Sequence, residues 1–439
     1  MHPTLFYIPR QIGSVPLVGF GLLLAIWIVL GAAIFVWMVR RQGFTADTWG
    51  YVPILLLIAA GIAFVLPAMA DERGIPVRGY GAMLVLAVSS ACWVASRRAG
   101  RMGLDPELLF SLGFWVFLAG LVGARLFYVV QKWDEFHQAT TPLGTLIEIV
   151  NVAQGGLVIY GGLFGGTFAV LVFLWLYRLP VLAVGDLVAA PVALGLALGR
   201  IGCFLTGCCF GGTTELPWAV RFPEGSPPFI AQVERGQLDW HGMRLPGTAS
   251  APPRIAAVEP GSAAQQAGLA AGAQIREING HPVRSLGSVY AALLATPPGE
   301  ELAIRTLDQG APIRWRTSET PPVSLPVHPA QLYSVINALV LFAFLSVWYP
   351  LRRRDGEVAA LLITIYPLTR FLLEAVRSDE PAAWGTGLSI SQNVSLLVLA
   401  GAPLFWWMVL RRPTGSVLPA GRGSASAGGA AGAGHAAGA

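Results

Sequence analysis

Nine apolar runs, each near the ~20 residues needed to cross a bilayer, restrict this chain more than any other feature. They fall near 17–39, 51–70, 79–97, 108–130, 157–177, 183–206, 329–350, 357–376 and 388–410. Backbone polar groups find no water in hydrocarbon, so such runs predict helices that satisfy their own hydrogen bonds. The 439 residues are 54% hydrophobic and only 12% charged, against about 25% charged in a soluble domain. The net charge of +5 is spread beside helix ends rather than gathered in one patch, which argues against a nucleic-acid partner. Four cysteines in a chain of this length imply no disulfide framework. The opening MHPTLFYIPRQIGSVP lacks the basic region and cleavage site of a secretory signal, so the first helix is expected to be retained.

Arginine placement sets an orientation. Arg40-Arg41, Arg97-Arg98 with Arg101, Arg178, Arg352-Arg353-Arg354 and Arg411-Arg412 fall on alternate loops, which the positive-inside rule places in the cytoplasm. The N-terminus and the stretch 207–328 are then expected outside, in the periplasm, and the C-terminus inside. VGFGLLLAIWIVLGAAIFVWMVRR (18–41) aligns with RGYGAMLVLAVSSACWVASRR (78–98) if a small gap is allowed. Either a duplication of a helix pair or shared apolar composition accounts for that likeness. The tail, 412–439, is rich in Gly and Ala and reads as disordered.

The exterior stretch carries a soluble unit. RIAAVEPGSAAQQAGLAAGAQIREINGHPV (254–283), SVYAALLAT and ELAIRTL predict strand, short helix, strand, helix and strand in that order. Wording and order resemble a PDZ domain over 240–318, with HGMRLPG (241–247) where the carboxylate-binding loop belongs. That resemblance implies capture of an extended peptide C-terminus; a spacer without ligand is the other reading.

Three polar stretches sit at the exterior ends of the apolar runs. GGLVIYGGLFGG (155–166) brings glycines and Tyr160, either for close approach of a ligand or for tight helix packing. GRIGCFLTGCCFGG (199–212) puts Arg200 at the end of a membrane run, where a charge costs roughly 2.5–3.5 kcal/mol on insertion scales. HPAQLYSVINAL (328–339) is followed by IYPLTRFLLEAVRSDE (365–380), whose Tyr366, Arg370, Glu374 and Arg377 recur at helical spacing. Guanidinium groups present fixed donors matched to phosphate. Arg200 and Arg370 are therefore candidates for holding an anion, with ion pairing to Glu374 or headgroup anchoring as the plainer alternatives.

In this order, GGLVIYGGLFGG, GRIGCFLTGCCFG, HPAQLYS and YPLTRFLLEAVRSDE resemble the prolipoprotein diacylglyceryl transferase family. RGYGAML and GARLFYVVQKW extend the likeness to Tyr80 and Arg125, so that it covers about 78–222 and 327–411. The resemblance implies an all-α polytopic membrane protein: a seven-helix core, two extra N-terminal helices (1–77) and the inserted α+β PDZ-like domain. It further implies residence in the bacterial plasma (inner) membrane. The implied reaction takes a diacylglyceryl group from phosphatidylglycerol and places it on the lipobox cysteine of exported prolipoproteins, without metal or cofactor. Arg200, Arg370 and Tyr160 take the family's catalytic positions. Tyr80, Arg125, Cys203, Gly211, Tyr366 and Glu374, together with Arg200, take its phosphatidylglycerol-binding positions.

The chain departs from that family at Tyr160-Gly161-Gly162, where His-Gly-Gly is common. It departs again at Cys203, Thr206 and Cys208, where Asn, Asn and Glu are usual. Three readings stand: an active variant, a paralogue using the same lipid on another acceptor, and a protein that binds lipid or exported-protein C-termini as a membrane scaffold without chemistry. Cys203, Cys208 and Cys209 lack a CxxC pair. Small apolar packing residues, a Cys203–Cys208 disulfide, and a metal site completed by His241 or His328 are the alternatives there; no metal is the expectation, and Cys92 reads as packing.

Overall fold

The computed structural model describes residues 4–43, 52–68, 70–71, 73–136, 145, 149, 156–380, 382–383, 385–415 and 417. Gly155 and nearly all of the tail lie outside these residues. The chain folds as two units: Met1–Leu84, Gly199–Tyr333 and Ala375–Pro381 in the first, and Val85–Leu198, Ser334–Glu374 and Ala382–Ala439 in the second.

Most of the membrane portion is helical: α1 (Leu22–Gln42), α2 (Val52–Ala60), α3 (Gly79–Gly100), α4 (Pro106–Gln131), α5 (Ile159–Leu176) and α6 (Val181–Thr206). After the insert, which contributes α7 (Pro227–Glu234), α8 (Ala263–Gln266) and α9 (Leu286–Leu294), come α10 (Ala330–Trp348), α11 (Glu357–Glu374) and α12 (Ile390–Leu410). Sequence dictates the boundaries. Asp105 accepts from the Glu107 amide ahead of Pro106 at the start of α4, and Ser389 with Gln392 forms a capping box on α12. Three helices close on tryptophan four residues before arginine: Arg41 lies 4.7 Å from the Trp37 ring, Arg97 4.4 Å from Trp93, and Arg411 4.0 Å from Trp407.

Among the described residues, six helices are long and apolar enough to cross a membrane, rather than nine. The second run is interrupted: α2 passes into a π-helical turn, Gly61–Val65, before Leu66–Ala68 with Pro67. The fifth is a shorter helix, Tyr160–Leu176. The eighth, α11, carries Glu357, Arg370 and Glu374.

In the first unit the chain start forms β1 (Thr4–Ile8), antiparallel to β2 (Ile75–Arg78), which leads into α3. The insert builds a short ladder, β3 (Met243–Arg244) with β4 (Ala257–Val258). It also builds a four-stranded antiparallel sheet of β5 (Ile275–Ile278), β6 (His281–Pro282), β7 (Glu301–Thr306) and β8 (Ile313–Arg316), ordered β8-β7-β5-β6. Its core is fully buried Trp240, Met243, Leu245, Ile255, Ile278 and Leu302. Phe229 and Val233 of α7 belong to the same core, which thus continues past the expected boundary at 240. The edge of the insert between β3 and α9 is closed by its own chain. Tyr290 donates to the Leu245 carbonyl at 2.9 Å, and the Leu286 and Gly287 amides donate to Ala251 at 2.9 Å and Ala249 at 2.8 Å.

The second unit packs small faces. α6 contributes fully buried Ala183, Leu187, Ala190 and Ala193. Asp186, also fully buried, accepts from the Gly356 amide at 2.7 Å and the Ala359 amide at 2.9 Å, and so caps the start of α11. Arg352 lies 3.5 Å from the same carboxylate and stacks over Tyr349 at 4.0 Å. α4 and α5 cross with backbones touching: a Cβ on Gly161 would run into the Gly123 carbonyl, and one on Gly165 into that of Ala119.

Candidate functional site

Residues 199–212 turn the end of α6 back on itself. Gly207 at φ 86° stops the helix, and Cys209 follows at φ 61°, a left-handed backbone that non-glycine residues rarely adopt. The loop then runs between two other motifs of the first unit. The Gly211 amide donates to the His328 carbonyl and the Gly212 amide to the Val376 carbonyl, each at 3.0 Å. A methyl on Gly211 would stand 2.5 Å from His328 Cβ and 3.0 Å from the Val376 carbonyl oxygen, so only glycine fits where the three strands of chain meet.

Gln331 completes this arrangement. Its side chain is fully buried and Nε2 donates to the Cys208 carbonyl at 2.8 Å. The motif HPAQLYS does not by itself single this residue out; an amide in the first turn of an apolar helix, just after a proline, is the signal it offers. His328 Nδ1 lies 3.3 Å from the Tyr333 hydroxyl, which accepts from Trp218 Nε1 at 2.7 Å. Arg377 donates to both carboxylate oxygens of Asp379, from Nε at 2.9 Å and from Nη2 at 3.1 Å.

Arg200 sits half-buried on the last turns of α6, near enough for its charge to act on Cys209 and on Tyr80. Tyr80, at the start of α3, rests on the same helix: a Cβ on Gly202 would lie 3.1 Å from its ring. Thr206 spends its hydroxyl on the Gly202 carbonyl of its own helix, at 3.0 Å. The Cys203, Cys208 and Cys209 sulfurs all lie within 4.8 Å of one another, and all three are free thiols. Hydrogen bonds from the other two thiols hold that of Cys209 below its ordinary range, helped by the charges of Arg200 and Arg377. Neither His241 nor His328 joins this cluster. His241 Nε2 instead lies 3.7 Å from Glu224 inside the insert. Beside the cysteines opens a cavity of about 530 Å³, lined by Cys208, Cys209, Glu234, Arg235, Thr248 and Asp379 among others.

The remaining candidates lie in the second unit. Arg370 pairs with Glu374 one turn on and donates to the Ser391 hydroxyl at 2.9 Å, so the carboxylate and hydroxyl orient its fork. Tyr366, one turn before Arg370, is half-buried against the apolar core. Arg125 donates to the Ile149 and Gly156 carbonyls, at 2.8 and 3.0 Å, and lies over Tyr128. It thereby secures the chain leading into α5, whose first turn carries half-buried Tyr160.

Six membrane-length apolar helices define a polytopic membrane protein, and Arg370 is held in it by a carboxylate and a hydroxyl, the ion pair with Glu374 that its spacing allowed. Residues 67–408 match the sequence model of the prolipoprotein diacylglyceryl transferase family. The chain belongs to that family of membrane transferases. A phosphatidylglycerol–prolipoprotein diacylglyceryl transferase of Rhodopirellula baltica is 31% identical over 436 residues, covering 92% of this chain and 88% of its own. One of the same description from Clostridium tetani is 33% identical over 334 residues, 76% of this chain and 93% of its own. A third, from Trichormus variabilis, is 35% identical over 169 residues, 38% of this chain and 58% of its own.

Proposed function

We propose that this chain transfers the diacylglyceryl group of phosphatidylglycerol to the lipobox cysteine of exported prolipoproteins. The observation that carries the reading is the pair of arginines on the family's motif positions. Arg200 is near enough for its charge to act on Cys209, and Arg370 is oriented by Glu374 and Ser391.

In this reaction the acceptor sulfur bonds to the glyceryl carbon as the carbon–oxygen bond to the phosphate breaks. Glycerol phosphate leaves with the electron pair and takes up the proton of the thiol. Negative charge grows on the departing phosphate, and preorganised guanidinium groups stabilise it most where water is excluded. Arg200 and Arg370 supply those charges. Tyr160 and Tyr80 orient the headgroup, since a phenol with an ordinary value near 10 keeps its proton at neutral pH and serves as a hydrogen-bonding group rather than a base. Arg125 positions the entry to α5 around that headgroup, and Cys203, Gly211, Tyr366 and Glu374 shape the rest of the lipid site.

The membrane arrangement that goes with this has a seven-helix core over 78–222 and 327–411, two extra helices before it, and N-terminus and insert outside the inner membrane. The Trp–Arg endings of α1, α3 and α12 mark cytoplasmic ends in that topology, because amphipathic side chains settle at the interface. The insert is a PDZ-like module that presents acceptor proteins. Capture of peptide C-termini by strand addition is disfavoured as its mode, because Tyr290 and the first turn of α9 already hold 245–251 at the edge where such a strand enters.

The test supplies membranes containing the chain with acyl-labelled phosphatidylglycerol and a lipobox peptide. Label on the cysteine peptide, and none on its serine counterpart, supports the transfer. Lipid binding without label on either peptide would leave a scaffold or a different acceptor as the function.

A further inference from the structure

Three thiols meet where the sequence has no metal-binding spacing. Cys203 lies on α6, while Cys208 and Cys209 follow its end, yet their sulfurs are mutually within 4.8 Å. The backbone brings this about: Gly207 at φ 86° and Cys209 at φ 61° fold the loop back over the last turn of the helix. A non-glycine residue in that region costs roughly 1–2 kcal/mol and persists where its surroundings fix it. Gln331, fully buried, fixes it through the Cys208 carbonyl, and among the described residues its Oε1 has no hydrogen-bond partner. The Gly211 and Gly212 amides tie the loop on the other side. Packing alone needs none of this convergence of sulfur.

The dimensions suit an ion. Zinc–sulfur bonds of about 2.3 Å set the sulfurs around one metal about 3.8–4.0 Å apart, which falls inside the 4.8 Å that bounds the separations of these three sulfurs. Three thiolates around a divalent ion leave one net negative charge, and Arg200 and Arg377 are the cations that act on the Cys209 sulfur. Cys208 and Cys209 also line the cavity of about 530 Å³, which gives an ion a route in.

We propose that Cys203, Cys208 and Cys209 form a three-thiolate site for one thiophilic d10 cation of the Zn²⁺ and Cd²⁺ class. Thiolate ligands select such ions over the hard cations Mg²⁺ and Ca²⁺. The site is a property of this chain's own loop and does not depend on the transferase reading.

The experiment titrates the reduced full chain in detergent with Cd²⁺ against a competing chelator and follows the sulfur-to-cadmium charge-transfer band. One ion per chain is expected, with a three-sulfur shell by X-ray absorption. Cys203→Ser, Cys208→Ser and Cys209→Ser should each weaken binding by at least the roughly 10–100-fold that loss of an outer-shell partner costs a metal site. Cys92→Ser should titrate as the parent chain does. A band that survives all three single substitutions overturns the proposal. So does a parent chain whose four thiols all react with a thiol reagent and yet give no band. A parent chain that retains a disulfide among the three under reducing conditions overturns it equally. The sulfur count on the parent chain decides the matter even if a variant fails to fold.

Discussion

The side-chain amide of Gln331 donates to the main-chain carbonyl of Cys208 at 2.8 Å, linking the start of α10 to the loop that follows Arg200. Gln331→Ala removes a buried donor and leaves that carbonyl without its partner, at a cost of about 1–3 kcal/mol. Because the loop carries the residues beside Arg200, transfer should fall by roughly 10–100-fold, the effect of misplacing a site by about an ångström. Gln331→Glu should fall as far, since its carboxylate cannot donate. Transfer rates and thermal unfolding of both variants check this, and unchanged rates would contradict it.

Gly165 and Tyr160 separate packing from chemistry on α5. A methyl at Gly165 meets the Ala119 carbonyl of α4, so Gly165→Ala should destabilise the chain by about 1–3 kcal/mol, as overpacking does. Tyr160→Phe should leave the melting temperature within error of the parent while transfer drops. If Gly165→Ala melts like the parent chain, the close crossing of α4 and α5 is not a stabilising contact.

How far the sequence carries the reader depends on whether neighbours in space are neighbours in the chain. The insert is legible: QIREING and ELAIRTL contain β5 and β7, and SVYAALLAT lies within and just past α9, because alternation and caps are local signals. Arg200 and Arg370 stand out because a charge among apolar residues is conspicuous. The tie from Gln331 to Cys208 spans 123 positions and leaves no local trace. Nor does the cysteine spacing reveal the sulfur cluster, since a left-handed turn at Cys209 creates it. Apolar length alone does not register the π-turn at Gly61–Val65 or the polar residues of α11. The glycines of 161–166 admit two roles in sequence, and the close approach of α4 accounts for Gly161 and Gly165.

Asp186 holds the start of α11 and faces Arg352, both almost wholly buried. Asp186→Ala removes the nearer carboxylate from the arginine, which keeps Asp355 at 3.8 Å, and removes the acceptor of two backbone amides; breaking a buried pair costs about 3–5 kcal/mol. The melting temperature should drop clearly. Asp186→Leu combined with Arg352→Met should recover part of the loss, because no buried charge is then left alone. A double variant as unstable as the single one would argue against the ion pair as the cause.

The insert should loosen on mild acidification. Burial lowers the His241 imidazole from its ordinary value, so protonation favours the unfolded chain. Stability from this group is present above about 6.5 and is lost as pH falls from there toward the lowered native value. Glu224, pushed up by burial, acts in the opposite sense nearer the carboxylate range. Amide exchange at Ile275–Ile278, corrected for its intrinsic pH dependence, should show less protection at pH ~6 than at pH ~7. His241→Gln should flatten that difference. A parent chain as flat as the variant would contradict the assignment.

Transfer depends most heavily on the two arginines acting on a departing phosphate. The direct measurement is the rate of diacylglyceryl transfer from labelled phosphatidylglycerol to a lipobox peptide, with Arg200→Ala, Arg200→Lys, Arg370→Ala and Arg370→Lys compared at matched protein levels. Loss of one preorganised donor to a developing anion costs about 100–1000-fold, and both alanine variants should show it, with lysine restoring little because it lacks the planar fork. Transfer at the parent rate in either alanine variant would contradict the central claim.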